Sequence, residues 1–302
     1  MKIFVTGGAG FLGKAVIRAL EIKFPNISIL NPNRAELDLL NRDEILSFVE
    51  KNKPTHVIHL AAEVYGLFGH LRSPISSLSN ISTIDSNLFF SLSVHPPKWI
   101  FYASTVAVYG YPYLELPIRE DHCLIGEPHS SEFGYAMAKR QGLTYLNLFQ
   151  KNYGTSYVYA LITNLFGQGD LNKNGNGHVI SGLINRAKEA RRYDSPFLVL
   201  GNPNSSRDFL EVNTAARAVA ELLNIHGGIL NIASGEQLTI GQIAEEIANA
   251  FGVRNSLQYD GEIRGIPNRY CSINKLQNLI DLPEVNSLQM IKNLALLEAT
   301  SD

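Results

Sequence analysis

Lys2-Ile-Phe-Val-Thr6-Gly-Gly-Ala-Gly-Phe-Leu-Gly13 is the stretch on which the reading of the chain turns. A short run of β-branched and aromatic residues reads as a buried strand, and the apolar positions from Phe11 to Lys23 recur with a helical period. Between them stand glycines at 7, 8, 10 and 13. Glycine permits a tight turn and lets backbone N–H groups approach a pyrophosphate, which then rests on the positive end of the following helix. Such a pattern alone also suits an ordinary glycine-rich turn. Placed directly between a strand and an amphipathic helix, it predicts a dinucleotide-binding turn.

The same alternation continues outward. Ile27 to Leu30, His56 to Leu60, Trp99 to Tyr102 and Ser156 to Ala160 read as strands, separated by helical patterns over Asp43 to Asn52, Ile75 to Leu92 and Tyr135 to Asn152. Strand and helix in turn predict an α/β fold, a doubly wound parallel sheet of the Rossmann kind with a smaller α/β C-terminal substrate domain. The predicted cofactor domain is 1–165, with 207–226 returning to it. Residues 166–206 and 227–302 form the predicted substrate domain, beginning with a Gly- and Asn-rich loop from Gly167 to Gly177 and a helix from His178 to Arg192. The second strand ends Leu30-Asn-Pro-Asn-Arg34, without the carboxylate that hydrogen-bonds a ribose 2'-hydroxyl. Asn31 with Arg34 nearby accommodates a 2'-phosphate, so NADP(H) is the expected cofactor.

Composition excludes several classes of function. Over 302 residues, 26 basic and 28 acidic side chains leave a net charge of -2, with no cluster of the kind nucleic acid or an anionic membrane requires. Small molecules are the expected partners. Cys123 and Cys271 form neither a disulfide framework nor a metal-ligand spacing, and no metal is expected. No apolar run approaches the roughly 20 residues of a membrane helix, and the expectation is a soluble, cytoplasmic protein.

Tyr135-Ala-Met-Ala-Lys139 opens a predicted helix and sets a phenol and an ammonium on one face. A free phenol ionises near pH ~10, so a neighbouring positive charge has to favour the phenolate before it exchanges protons near neutrality. Upstream, Trp99-Ile-Phe-Tyr-Ala-Ser-Thr105 is a strand ending in hydroxyl residues, at the edge where doubly wound sheets bind ligands.

Together the glycine-rich turn, this hydroxyl strand end and Tyr-x-x-x-Lys resemble the extended short-chain dehydrogenase/reductase family of NAD-dependent epimerases and dehydratases. The family's hydroxyl position falls on Thr105, with Ser104 beside it. Within the family, the chain is similar to the GDP-L-fucose synthase branch of GDP-4-keto-6-deoxymannose epimerase/reductases. That likeness rests on Glu36-Leu-Asp-Leu-Leu40, Glu127-Pro128, Thr163-Asn-Leu-Phe-Gly167, Gly177-His-Val-Ile180 and Arg207-Asp-Phe-Leu210. It implies hydride delivery from NADPH to a C4 ketone of a nucleotide-linked sugar, with Tyr135 as proton donor and Lys139 and Thr105 as its catalytic companions, and with His178 as the acid/base group of any epimerisation that remains. It also places Thr105, Asn164, His178, Arg186, Arg207 and Arg269 at the substrate. Guanidinium groups suit a diphosphate independently of any resemblance. The expected cofactor set is Gly7, Gly10, Phe11, Leu12, Gly13, Asn31, Arg34, Asp38, Leu39, Ala61 and Ala62, with Tyr135 and Lys139.

One departure stands out. The family's acid/base cysteine, two residues after the catalytic hydroxyl, is here Ala107, which carries no proton. Reduced or absent epimerisation is therefore expected, with Cys123 and His122 as possible replacements. Two other readings compete: an epimerase of the UDP-hexose 4-epimerase type with tightly bound NAD, disfavoured by Asn31 and Arg34, and a non-catalytic dinucleotide-binding protein, disfavoured by the intact Tyr, Lys and hydroxyl. The family implies a homodimer through Ile75 to Leu92 and Tyr135 to Asn152, where Leu143, Leu146, Leu148 and Phe149 suit an interface or a core.

Overall fold

The computed structural model describes residues 1–62, 73–170, 179–262 and 265–301. A six-stranded parallel sheet forms its centre, from β1 (Lys2–Thr6), β2 (Ser28–Leu30), β3 (His56–His59), β4 (Trp99–Thr105), β5 (Ser156–Ile162) and a late strand, Gly228–Ile232. From the late strand the order is β5, β4, β3, β1, β2. The direction of winding therefore reverses between β1 and β3, where such sheets bind ligands beyond their carboxyl ends. Register sets Thr6 opposite His59 at that edge, and Tyr102 opposite Tyr159 further along.

Both faces of the sheet are covered, which is why its strands read as apolar runs and not as alternation with polar residues. Phe4, Val57, Ile100, Tyr102, Tyr159 and Leu161 point to one core. Ile3, Val5, Ile58, Phe101, Val158 and Ala160 point to the other. Each such fully buried large side chain contributes roughly 1.5–3 kcal/mol. The helices flanking the site are α1 (Phe11–Lys23), α2 (Arg42–Asn52), α3 (Pro74–Leu92) and α4 (Phe133–Tyr153). Asn41 caps α2 by accepting from the backbone N–H groups of Asp43 and Glu44. Gly154 ends α4 at φ +70°, the left-handed conformation that glycine adopts without strain. Leu143, Leu146 and Phe149 of α4 lie in the first core, while Leu148 stays 47% exposed.

A smaller C-terminal body has its own core, with Phe166, Ile184, Phe197, Phe209, Ile247 and Ile291 at its centre. It contains α5 (Val179–Tyr193) and short strand pairs, among them β6 (Asn164–Phe166) alongside Phe209–Glu211. The helix after that strand, α6 (Val212–Glu221), lies on the central sheet against α1. Gly228–Ile232 pairs with Val158–Ile162 as the sixth strand, and Leu276 and Ile280 pack into the same core. Without it β5 would leave an open edge of unpaired backbone groups. Among the described residues no helix is long and apolar enough to cross a membrane, and no cluster of His, Cys, Asp or Glu could hold a metal ion.

Candidate active site

The glycine-rich turn is built by close backbone approach. Gly7 sits at φ +73°, and a Cβ there would lie 2.7 Å from the Ala61 nitrogen. A Cβ on Gly13 would meet the Gly7 carbonyl oxygen at 2.2 Å, so helix and turn pack backbone to backbone. The Gly10 N–H donates to the Gly7 carbonyl at 3.0 Å, and Gly10 precedes α1 with no side-chain cap and no acid in the first turn. The helix's first N–H groups are thus left for an anion. Behind the turn lies a cavity of about 270 Å³ lined by Gly7, Arg34, Asp38, Leu39, Ala61 and Ala62, six of the expected cofactor residues. Other members of the expected set lie outside the lining of that cavity. Asn31 extends its side chain over Gly8, Phe11 reaches toward Gly167, and Leu12 packs against the second core. The described residues fit a dinucleotide, and Arg34 is a cation in the lining of that cavity.

Across the sheet edge, a 3-10 turn over Ser130–Glu132 leads into α4. Tyr135, in the first turn of that helix, is hydrogen-bonded to the Thr105 hydroxyl, which also accepts from the Ala107 N–H at 3.1 Å. Burial pushes the phenol well above its ordinary pKa, the Glu132 carboxylate adds to this, and Thr105 and Arg269 act in the opposite direction. One helical turn on, Lys139 is 2% exposed, and its Nζ stands 4.7 Å from the centroid of the Tyr102 ring. Burial lowers its pKa and the Asp85 carboxylate raises it. Ser104 is buried beside Tyr159, leaving Thr105 as the hydroxyl that meets Tyr135.

The substrate end assigns the expected arginines different tasks. Arg269 is held by Glu132 through Nη1 to Oε2 at 2.7 Å and Nη2 to Oε1 at 3.3 Å, while its buried Nε has no partner among the described residues. Burial lowers its pKa, but the carboxylate of Glu132 and the nearby Tyr113 raise it above the ordinary value. Arg207 donates from Nη1 to the Ser206 and Pro267 carbonyls at 2.8 and 2.9 Å and from Nη2 to that of Ile266. Burial, aided by the charge of Arg269, brings its pKa down to about 10. Arg186, half-buried on α5, has a buried Nε without a partner among the described residues. Asn164 donates its amide to the Asp208 carbonyl at 2.8 Å. His178 lies outside the described residues.

Three residues that sequence reasoning passed over complete the picture. Glu132 stands three positions before Tyr135, a helical neighbour whose charge reaches the phenol. Tyr113, partly buried and within electrostatic reach of both arginines, hydrogen-bonds Arg269. Asp208, the acid of the Arg207-Asp-Phe-Leu motif, is fully buried and accepts from the Ser234 N–H and hydroxyl at 2.9 Å and the Gly235 N–H at 3.0 Å. Cys123, considered as a replacement for the missing cysteine, is 1% exposed in the first core, and burial pushes its thiol to about 12, so it is a packing residue. Ala107 itself is buried in the turn after β4.

The comparisons with known proteins agree with this geometry. GDP-L-fucose synthase 1 of Arabidopsis thaliana is 29% identical over 290 residues, which cover 94% of this chain and 89% of the plant protein. The GDP-L-fucose synthase of Sinorhizobium fredii is 29% identical over 284 residues, covering 92% and 89%. A crystal structure of a GDP-L-fucose synthetase from Naegleria fowleri bound to NADP superposes with a TM-score of 0.86 at 27% identity, covering 99% of this chain and 94% of that one. The NAD dependent epimerase/dehydratase family as a whole matches residues 3–233, from the first strand through the last strand of the central sheet, and the chain belongs to that family.

Proposed function

We propose that this protein is an NADP(H)-dependent nucleotide-sugar oxidoreductase that reduces the C4 ketone of a nucleotide-linked 4-keto-6-deoxy sugar, a GDP-sugar by preference. The observation that carries the reading is the hydrogen bond between Tyr135 and Thr105 with the Lys139 ammonium one helical turn away, at the sheet edge beside the glycine-rich turn. When bound, the reduced nicotinamide supplies a hydride to the carbonyl carbon. Thr105 orients the carbonyl oxygen, and the Tyr135 O–H donates its proton to that oxygen as the C–H bond forms and the C=O bond becomes single. Lys139 makes the departure of that proton less costly by placing a positive charge near the phenolate. The similarity to proteins named GDP-L-fucose synthase supports the nucleotide, and Arg34 supports the phosphorylated cofactor.

The buried guanidinium nitrogens of Arg186 and Arg269 suit the diphosphate, because an unpaired buried donor has a partner in nearly every working state of a protein. We assign these groups to the anionic linker of the substrate, held between the sheet edge and the C-terminal body. Epimerisation is expected to be weak or absent, since Ala107 has no ionisable group and the buried Cys123 thiol, raised to about 12, holds its proton at neutral pH and offers no thiolate base. A homodimer is proposed through α3 and α4, which pack together and expose Ile75, Phe90, Met137 and Leu148.

Incubation with GDP-4-keto-6-deoxymannose and NADPH in heavy water tests the reading, with ring configuration and deuterium content read by NMR. Reduction without deuterium beside C4 is the expected result. Deuterium at a flanking carbon would restore an epimerase/reductase. Isomerisation of a UDP-hexose without net cofactor oxidation would favour the epimerase reading, and cofactor binding with no turnover of any keto-sugar would favour a non-catalytic one.

A further inference from the structure

Beneath the catalytic pair a line of hydrogen bonds crosses the closed interior of the sheet. The Ala61 N–H donates to the Thr6 hydroxyl oxygen at 3.3 Å. Thr6 Oγ1 and His59 Nδ1 are 2.6 Å apart, and His59 Nε2 stands 2.9 Å from Asp85 Oδ1. The Tyr102 phenol donates to the other oxygen, Asp85 Oδ2. His59, Asp85 and Tyr102 are all fully buried, at 0% exposure. An ionised carboxylate only accepts, which sets the direction of every bond in the line. His59 carries its proton on Nε2 and gives it to Asp85, its Nδ1 accepts the Thr6 hydroxyl, and the Thr6 oxygen accepts from Ala61. Burial lowers the pKa of His59 against the opposing effect of Asp85, so the imidazole remains neutral and leaves the negative charge of Asp85 unspent.

Lys139 is the cation to which that charge answers. An ammonium buried without a counter-charge loses its proton readily, with shifts of about 3–5 pKa units downward for fully buried lysines. Lys139 lies over the same Tyr102 ring whose hydroxyl binds Asp85. We propose that Asp85 is a positioning residue, the buried counter-charge that keeps Lys139 cationic and in place beside Tyr135, and that His59 and Thr6 tie that charge to the turn holding the cofactor. Its kinetic consequence rests on the reductase reading, whereas the electrostatic pairing does not. Among the described residues, the groups facing Asp85 are His59 from β3, Tyr102 from β4, Tyr159 from β5, and Lys139 and Tyr135 from α4. On the α2 side of α3, the helix that carries Asp85, Arg42 is held by Asn87 at 3.3 Å and by the Phe90 ring.

The test is an NMR titration of the full chain carrying isotope-labelled lysine, without substrate, with the Lys139 signal assigned by its loss in Lys139→Arg. In the native protein Lys139 is expected to stay cationic at pH 8. In Asp85→Asn its titration is expected to move down by roughly one pH unit or more, and the alkaline limb of turnover to move with it, because loss of the lysine's charge and loss of Asp85's influence on Tyr135 both act in that direction. A lower kcat at every pH with the limb and the lysine titration unmoved would mean a merely structural role and would overturn the proposal. So would a native Lys139 already neutral at pH 8. If Asp85→Asn fails to fold, Asp85→Glu keeps the charge and is expected to leave Lys139 cationic at pH 8, and a neutral lysine in that variant would count against the proposal. Because the titration needs no turnover, it decides the pairing of Asp85 with Lys139 even if the protein reduces no keto-sugar.

Discussion

The cofactor end and the substrate end of the crevice solve the problem of buried polarity in opposite ways. Around the glycine-rich turn, donors run inward from Ala61, Thr6, His59 and Tyr102 to one carboxylate, and the turn itself is backbone against backbone. Among the described residues there, the N-terminus of α1 is what remains open to a ligand. At the substrate end, Arg269 is paired with Glu132, Arg207 is held by backbone carbonyls, and buried guanidinium nitrogens on Arg186 and Arg269 lack partners among the described residues. The first arrangement is complete before anything binds. Among the described residues the second keeps unmet donors, which suit the anion proposed to bind there. A rigid end holds the reagent common to a whole family, and an unsaturated end selects the substrate.

Variants can break this contrast at its centre or at its margins. The largest expected effect is at the junction of the two ends. Tyr135→Phe keeps the ring and loses the proton donor, so kcat for ketone reduction should fall by about 10²–10⁴-fold, while NADPH affinity, measured by fluorescence quenching, changes little. An equal loss in cofactor affinity would show that the phenol belongs to the cofactor end instead. Next comes Gly13→Ala. Its new Cβ would meet the Gly7 carbonyl oxygen at 2.2 Å, where backbone cannot yield as a flexible side chain would. Stability is expected to fall by about 1–3 kcal/mol, read as a lower thermal midpoint, with NADPH binding weakened at least as much as substrate binding.

The two ends also differ in how far the sequence exposes them. Glycines at 7, 10 and 13 are legible because a backbone approach tolerates one residue type, and Tyr135 with Lys139 is legible because helical spacing alone puts them on one face. The parallel sheet follows from alternating strands and helices, except that Gly228–Ile232 joins it after a long excursion that no local pattern announces. Glu132, Tyr113 and Asp208 are another matter. Each acts through a partner distant in sequence: Arg269 lies 137 residues from Glu132, and Ser234 lies 26 from Asp208. Long-range pairing of this kind is set by tertiary packing, which single-residue chemistry does not encode. The same reason explains why Arg207 and Arg269 read simply as phosphate ligands, although the fold first uses them to hold Ile266, Pro267 and Glu132.

Glu132 offers the sharpest probe of the substrate end. In Glu132→Gln the carboxylate that raises the phenol's pKa is gone, so Tyr135 ionises more readily. Reduction requires the protonated phenol, and the alkaline limb of its pH profile should therefore move to lower pH. Breaking a buried pair also destabilises, by about 3 kcal/mol, because Arg269 keeps its charge with little water to replace the carboxylate. Stopped-flow rates across pH and a denaturant melt separate these effects. A limb that moves upward would mean that Arg269, released from Glu132, dominates the phenol by some other route.

The smallest expected effect lies at the edge of the cofactor cavity. Arg34 is exposed, and its distal position gives it the weakest claim of the residues lining that pocket. A guanidinium meeting a phosphate in partly solvated surroundings contributes about 1.5–3 kcal/mol as a charged hydrogen bond, and solvent screening favours the lower figure. Arg34→Leu should therefore reduce the preference for NADPH over NADH by roughly tenfold, through KM for NADPH, with kcat and KM for the sugar nearly unchanged. The comparison of NADPH with NADH in one variant is the informative measurement, because any general disturbance of the turn would weaken both cofactors alike. Equal weakening would move Arg34 from the phosphate to the loop that carries it, and the preference would then reside in the absence of a carboxylate at Asn31.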